Sequence, residues 1–354
     1  MLSERIAVAR RAAGLTTRQL GEAAGVSAMS ISKYENGKAT PASDVLLRLA
    51  SALGVRTEYF FRSKTVELRE LEFRKHPRLP KALQRKIEAN ATDQMERFLE
   101  LAELVPAEAI KGSGLPRVRA RAINDMDQIE GVADAVRKEW DLGSNPIADL
   151  ADTFEQNGIR VFLTDLAGDG PFSGLAAMVD KMPIVVVSRH HPGDRQRFTL
   201  AHELGHLVLA KFKLAGTLDV EMAANRFAGA FLVPKDKALQ KLGKKRSWLE
   251  PKELWNLKAE WGLSMAGWVH RANELGVVSD GKYREIRQYF QTQGWGLKEP
   301  FAAFPQERPR LMETLVLRAL AEDWIGESKA AELLGMPVMD FRKEILAADA
   351  DPRR

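Results

Sequence analysis

His202-Glu203-Leu204-Gly205-His206 places two imidazoles and a carboxylate within about one turn of chain, inside the apolar run from Thr199 to Leu209. On a helix, His202 and His206 stand at i and i+4, so both rings leave one face and can bind a single metal ion, with Glu203 beside them as a base for water. That is the chemistry of a zinc hydrolase. The chain holds only six histidines, and at such a composition the pattern arises by accident on the order of once in a hundred chains. Leu200, Leu204, Leu207 and Val208 recur at helical spacing, which puts the motif on a helix with one buried side.

A zinc site of this kind needs a third protein ligand and leaves its fourth position to water. There is no cysteine in the chain, so disulfides and thiolate ligands are excluded and zinc must be held by histidine and carboxylate. Downstream, Asp219 to Pro234 reads as a helix with Ala224, Phe227, Ala228 and Phe231 on its apolar face. Glu221 lies one turn before Ala224 and Asn225, so it can reach the histidines if the two helices pack together; Asp219 is the competing carboxylate. His190-His191 tempts a ligand assignment, but adjacent residues on extended chain point opposite ways and at most one could face the site. His270 and Arg197 are candidates for stabilising an oxyanion, against simpler packing roles.

Helices are expected over Ala120 to Trp140 and Ile147 to Asn157, followed by strands at Ile159–Leu163, Gly174–Val179 and Pro183–Val187. A small sheet thus precedes the histidine helix. A segment such as Ser173 to Met178, if it lies at an edge, can take up a peptide backbone by strand addition. Thr65 to Phe73 alternates apolar and charged residues and reads as an edge strand or extended linker, and Leu83 to Leu104 returns to helical periodicity.

At 354 residues the chain exceeds one typical domain. Its net charge is +5, and the distribution of that charge matters more than its size. Met1 to Lys64 carries ten Lys and Arg against five acids, so the remainder is balanced. An anionic partner is indicated for the N-terminal segment, nucleic acid first. No signal peptide is read at Met1-Leu2-Ser3-Glu4-Arg5 and no apolar run reaches membrane-spanning length, so the expectation is a cytoplasmic protein with no membrane partner.

Within that basic segment, short helices are separated by turns. Thr16 or Thr17 can cap a second helix that Gly25 ends, Ser27 caps a third through Ile31 and Tyr34, and Pro41 and Ser43 open a fourth. Two short helices joined by a glycine turn form a unit whose second helix can enter the major groove of double-stranded DNA. Leu15 to Ser27 and Ile31 to Lys38 resemble the XRE/Cro-type repressor domain, over all of Ser3 to Phe61. The resemblance implies that Ala28, Met29, Ser32 and Lys33, following the Ser27 cap, face base edges, that Thr17, Asn36 and Lys38 lie near phosphates, and that Arg10 and Glu35 form an internal ion pair. It also implies a homodimer on two half-sites. Ala28 and Met29 offer only apolar contact, such as with a thymine methyl.

Arg197 to His206, followed by Glu221-x-x-Ala224-Asn225-x-Phe227-Ala228 and Leu232-Val233-Pro234, resembles the ImmA/IrrE family of metallopeptidases, over roughly Ile147 to Gly294. Carried over, His202, His206 and Glu221 match the metal ligands and Glu203 the catalytic base, and the resemblance implies a protein substrate such as a transcriptional repressor. The expected fold class is mostly α and multidomain: an all-α helix-turn-helix domain, an α+β zincin-like (gluzincin) metallopeptidase domain and a helical C-terminal tail. The expected domains are 1–63, a linker and helical connector over 64–145, the peptidase over 146–296 and the tail over 297–354, where Ala330-Ala331-Glu332-Leu333-Leu334-Gly335 resembles a degenerate second helix-turn-helix. Pro300, Pro305 and Pro309 mark a linker into that tail. The leading function is a DNA-binding regulator fused to a zinc peptidase; the alternatives are a non-cleaving metal or ligand sensor, and an antitoxin-like autoregulator that binds a partner protein.

Overall fold

The computed structural model of the chain describes residues 2–62, 66, 68, 79–110, 112, 114–119, 121–165, 172–296 and 298–346. These residues fall into two units, one holding the described residues through 110 and from 310 onward, the other those within 111–309. The stretch 64–145 contributes described residues to both units, and the stretch from 297 onward divides between them at 310. Most of the strand expected over Thr65–Phe73 lies outside the described residues.

The first unit begins with α1 (Leu2–Ala12), α2 (Thr17–Ala24), α3 (Ala28–Glu35) and α4 (Ser43–Leu53). Thr16 rather than Thr17 caps α2, in a reciprocal box: its hydroxyl accepts from Gln19 N, and the Gln19 side chain accepts from Thr16 N at 2.9 Å. Gly25 then takes the left-handed conformation (φ 67°) that turns the chain into α3, capped by Ser27. The turn is tight, because a Cβ on Gly21 would lie 2.7 Å from the Val26 carbonyl oxygen. Helix α4 opens at Ser43 as expected, two residues after Pro41, with Ala42 as an N-cap that makes no side-chain bond. Ile6, Leu20, Ile31, Leu46, Leu49 and Phe60 fill the core between these helices. Next comes α5 (Lys81–Leu104), which buries Ile87, Met95, Phe98 and Leu101 and packs on α1. Two buried arginines fix that contact: Arg5 donates to Glu96 at 2.8 Å and to the Arg62 carbonyl at 2.9 Å, and Arg62 pairs with Asp93 at 2.5 Å.

The second unit is α+β. Its sequence of elements is β1 (Ala122–Ile123), α6 (Asp127–Glu139), α7 (Leu150–Gln156), β2 (Arg160–Thr164), β3 (Gly174–Val179), β4 (Met182–Ser188), α8 (Gly193–Leu209), β5 (Lys213–Leu214), α9 (Val220–Leu232), α10 (Lys235–Leu242), α11 (Pro251–Trp261), α12 (Met265–Glu274) and α13 (Asp280–Thr292). The helix expected from Ala120 starts only at Asp127. Ile123 pairs in β1 with Leu214 of β5 instead, and Asp125 Oδ1 accepts from Gln128 N to start the helix later. The larger sheet has the order β2-β4-β3, with β2 parallel and β3 antiparallel to β4. Ile184 to Val187 are fully buried, as a central apolar strand must be. Helix α8 packs on β3 and β4 on one side and on α9 on the other, and β3 is an edge strand of the sheet, where strand addition was expected.

Residues 298–309, read from the sequence as a linker, form an extended strap across the second unit. Glu299 accepts from Met265 N and Ala266 N at the start of α12 and pairs with Lys258 at 2.8 Å. Gln306 donates to the carbonyls of Arg189 and His191, and Glu307 accepts from Leu150 N and Ala151 N at the start of α7. Gly193 is required where the strap crosses α8, since a Cβ there would collide with the Pro305 carbonyl.

The chain then returns to the first unit as α14 (Leu311–Ala321) and α15 (Glu327–Leu334), both packed on α5. The turn after α15 repeats the one after α2: Gly335 has φ 72°, and Met336 N donates to Ala331 O at 2.9 Å as Val26 N does to Gly21 O at 2.9 Å. Phe341 is fully buried at the place Ile31 holds in the first turn. This second helix-turn-helix geometry lacks a basic surface, because residues 310–346 carry five Lys and Arg against seven acids. The fold is mostly α and multidomain, with an all-α helix-turn-helix unit and an α+β unit. No helix among the described residues is long and apolar enough to cross a membrane.

Candidate metal centre and helix-turn-helix surface

Gly205 lets α8 and α9 approach closely: a Cβ on it would stand 3.0 Å from the Phe227 ring and 3.3 Å from Ala224. The two helices therefore meet with His202 and His206 opposite the first turn of α9. There, Glu221 Oε2 lies 3.4 Å from His202 Nε2, Glu221 Oε1 lies 3.4 Å from His206 Nε2, and the two Nε2 atoms are 3.0 Å apart. Ligands held about 2.0–2.1 Å from a tetrahedral zinc stand about 3.3 Å from one another. The three side chains thus fit one ion without rearrangement, and among the described residues they are the group of histidines and acids able to hold one.

Asp219, the competing carboxylate, is the N-cap of α9, its Oδ1 accepting from Met222 N at 2.8 Å. Neither histidine of the His190-His191 pair joins the cluster. His191 is buried and donates to the Phe172 carbonyl at 3.0 Å, and His190 lies against the Asp165 carbonyl at 3.2 Å. Arg197 directs Nη1 to Glu307 and Nη2 to the Ile147 carbonyl, away from the three converging side chains. His270 lines the cleft beside the centre, half exposed, with Nδ1 3.3 Å from the Tyr283 hydroxyl. Glu203 is 3 % exposed and is not one of the three converging side chains, although it shares their helix.

Asn225 has a part that the sequence reading did not assign. Its Oδ1 accepts from His202 Nδ1–H at 2.9 Å, which fixes the tautomer that leaves the Nε2 lone pair facing Glu221. Its position one turn after Glu221 on α9 was the available signal. Burial, the largest influence, lowers the pKa of His202, but the Glu221 hydrogen bond and the charges of Glu203 and Glu221 together hold it above the usual histidine value. Proton and metal compete for that nitrogen, so metal binding weakens as pH falls. Asn225→Ala is expected to lower zinc affinity about 10- to 100-fold; a chelator competition titration in which the variant matches wild type would remove this role.

In the helix-turn-helix, Met29, Ser32, Lys33 and Asn36 lie along one exposed stripe of α3, with Met29 68 % exposed. Lys38 is exposed after Gly37, while Thr17 and Ala28 are half-buried. Ser27 spends its hydroxyl as acceptor for Ser30 N, and Asn36 donates to the Ser32 carbonyl at 2.7 Å. Arg10 and Glu35 form a two-pronged pair at 2.6 and 2.9 Å beneath this face.

Fold and site together define a helix-turn-helix protein that carries a zincin-like unit with a potential two-histidine, one-glutamate centre. Residues 6–60 match the helix-turn-helix family model and residues 154–273 the IrrE N-terminal-like domain of the peptidase families. The first match is an XRE-type helix-turn-helix domain and the second an ImmA/IrrE-like domain. No curated protein matches it.

Proposed function

We propose that the protein is a transcriptional regulator whose second unit hydrolyses a peptide bond in a regulatory protein, such as a repressor, with zinc held by His202, His206 and Glu221. The convergence of those three side chains at the spacing of a tetrahedral site, one residue from a carboxylate outside the ligand set, carries the reading. Bound there, zinc would lower the pKa of a water molecule and polarise the scissile carbonyl. Glu203, beside the ligand set, is the base that would take up a proton from that water and pass it to the leaving amine. Asn225 holds His202 in its ligating tautomer, and β3 aligns the substrate backbone from the sheet edge. Cleavage of a partner protein that stops on chelation and resumes with added zinc is the expected behaviour. Chelator-insensitive cleavage, or none with zinc supplied, would count against it.

The first unit binds duplex DNA as a dimer through the α3 stripe, with Lys33 and Lys38 toward phosphates or base edges. Regulation as a cytoplasmic protein follows from joining the two activities in one chain. Duplexes selected from a random pool should bind with strong salt dependence. Lys38→Ala should reduce the log–log salt slope by about one. Binding that does not change between low and high salt would remove the phosphate contacts.

A further inference from the structure

A cleft of about 310 Å³ opens beside the metal-ligand cluster, between α8 and α9 on one side and α12 and α13 on the other. Two of its lining residues touch His202: Asn225 holds its Nδ1 and Phe198 stacks on its ring at a centroid separation of 6.4 Å. Phe198 precedes His202 by one helical turn and Gly229 follows Asn225 by one, and both line the cleft. Its floor therefore lies about 5 Å along the helix seam from the His202–Asn225 layer. Extended peptide covers that distance in about two residues, so a side chain close to the bond cut at the centre reaches this cleft.

The charged groups facing the cleft are not equivalent. Arg271 is fully buried and spent on Glu130, Glu274 and the Val233 carbonyl. Glu274 is answered by Arg271, Arg226 and His270. Arg287 of α13 is half-buried in the cleft wall and makes no hydrogen bond or ion pair among the described residues. A guanidinium left uncompensated in a concave wall favours an anion, and its planar fork matches a carboxylate in particular. Phe198 and Leu263 offer apolar wall for a short aliphatic stem, and Tyr283, its hydroxyl beside His270 Nδ1, borders the cleft.

We propose that this cleft seats an aspartate or glutamate side chain of the substrate, close to the scissile bond, with Arg287 as the residue that selects it. The proposal rests on the peptidase reading above. The zinc-loaded protein would be given a proteome-derived peptide library and the residues flanking each cut counted. At one position within about three residues of the cut, Asp and Glu should be enriched about tenfold, the discrimination expected of one charge-assisted pair. Arg287→Glu should turn that preference to Lys and Arg at the same position, and Arg287→Lys should keep it acidic; a merely structural arginine would lower the yield without changing the preference. An unchanged preference in Arg287→Glu overturns the proposal. Binding of Glu203→Gln protein to a random peptide array, with and without Arg287→Glu, gives a readout independent of turnover: acidic peptides retained by the first and rejected by the second support the cleft, and equal profiles overturn it. Absence of cutting by the wild type would instead strike at the peptidase reading, while the array still decides the cleft.

Discussion

Glu203→Gln protein is expected to retain its zinc and to lose peptide-bond cleavage by about 10²- to 10⁴-fold, the usual contribution of a positioned general base. The substitution keeps shape and one acceptor oxygen but cannot take up the water's proton. Because Glu203 lies outside the cluster of His202, His206 and Glu221, exchanging it leaves the ligands in place. Its side chain is buried, and an amide of the same size fills the same volume, so α8 keeps its packing. Elemental analysis of the purified variant checks the first half. The second half is read in the host, by comparing new protein N-termini between wild type and variant. If the same ends form in both, hydrolysis by this unit is ruled out, and DNA binding by the first unit is untouched. If zinc disappears together with activity, Glu203 acts on the metal site itself and not as a base.

The parts of this molecule that were legible in the sequence are those encoded locally. Thr16, Gly25 and Ser27 are residues whose side chain or backbone freedom terminates a helix within four positions, so the turn of the first unit could be read almost residue by residue. The apolar runs of β3 and β4 and the i, i+4 histidines of α8 belong to the same class. What escaped reading depends on partners far along the chain. Glu299 and Glu307 lie among prolines without periodicity, yet they satisfy backbone donors at the starts of α12 and α7. Two-residue β1 exists because β5, some ninety positions later, pairs with it; its own composition suits a helix. Asn225 gains its meaning only when α9 meets α8, and that meeting depends on the missing side chain of Gly205.

Arg197→Met is expected to destabilise the second unit by about 3–5 kcal/mol, the cost of removing one partner from a buried ion pair. Arg197 is 1 % exposed and Glu307 is buried; Nη1 donates to Glu307 Oε1 at 2.7 Å, Nη2 to the Ile147 carbonyl at 2.5 Å, and the guanidinium lies over the Phe304 ring. Methionine fills much of the volume but leaves a carboxylate without its counter-charge at the crossing of α7, α8 and the strap. Glu307→Gln in the same chain can still accept from Leu150 and Ala151 while removing that charge, so the double variant should recover about 2 kcal/mol of the loss. The pH dependence carries a sign. Burial, the largest influence, already raises the pKa of Glu307, and Arg197 pulls it down; without Arg197 the folded-state value rises further above that of the unfolded chain. A carboxylate with a raised folded pKa gains stability from protonation as pH falls, so the variant's deficit should shrink toward acidic pH. Six of the seven tryptophans lie within 111–309, so unfolding followed by tryptophan fluorescence reports on this unit. A deficit that is the same at acidic and neutral pH, with no recovery in the double variant, would mean that the loss comes from packing around the guanidinium and not from its charge.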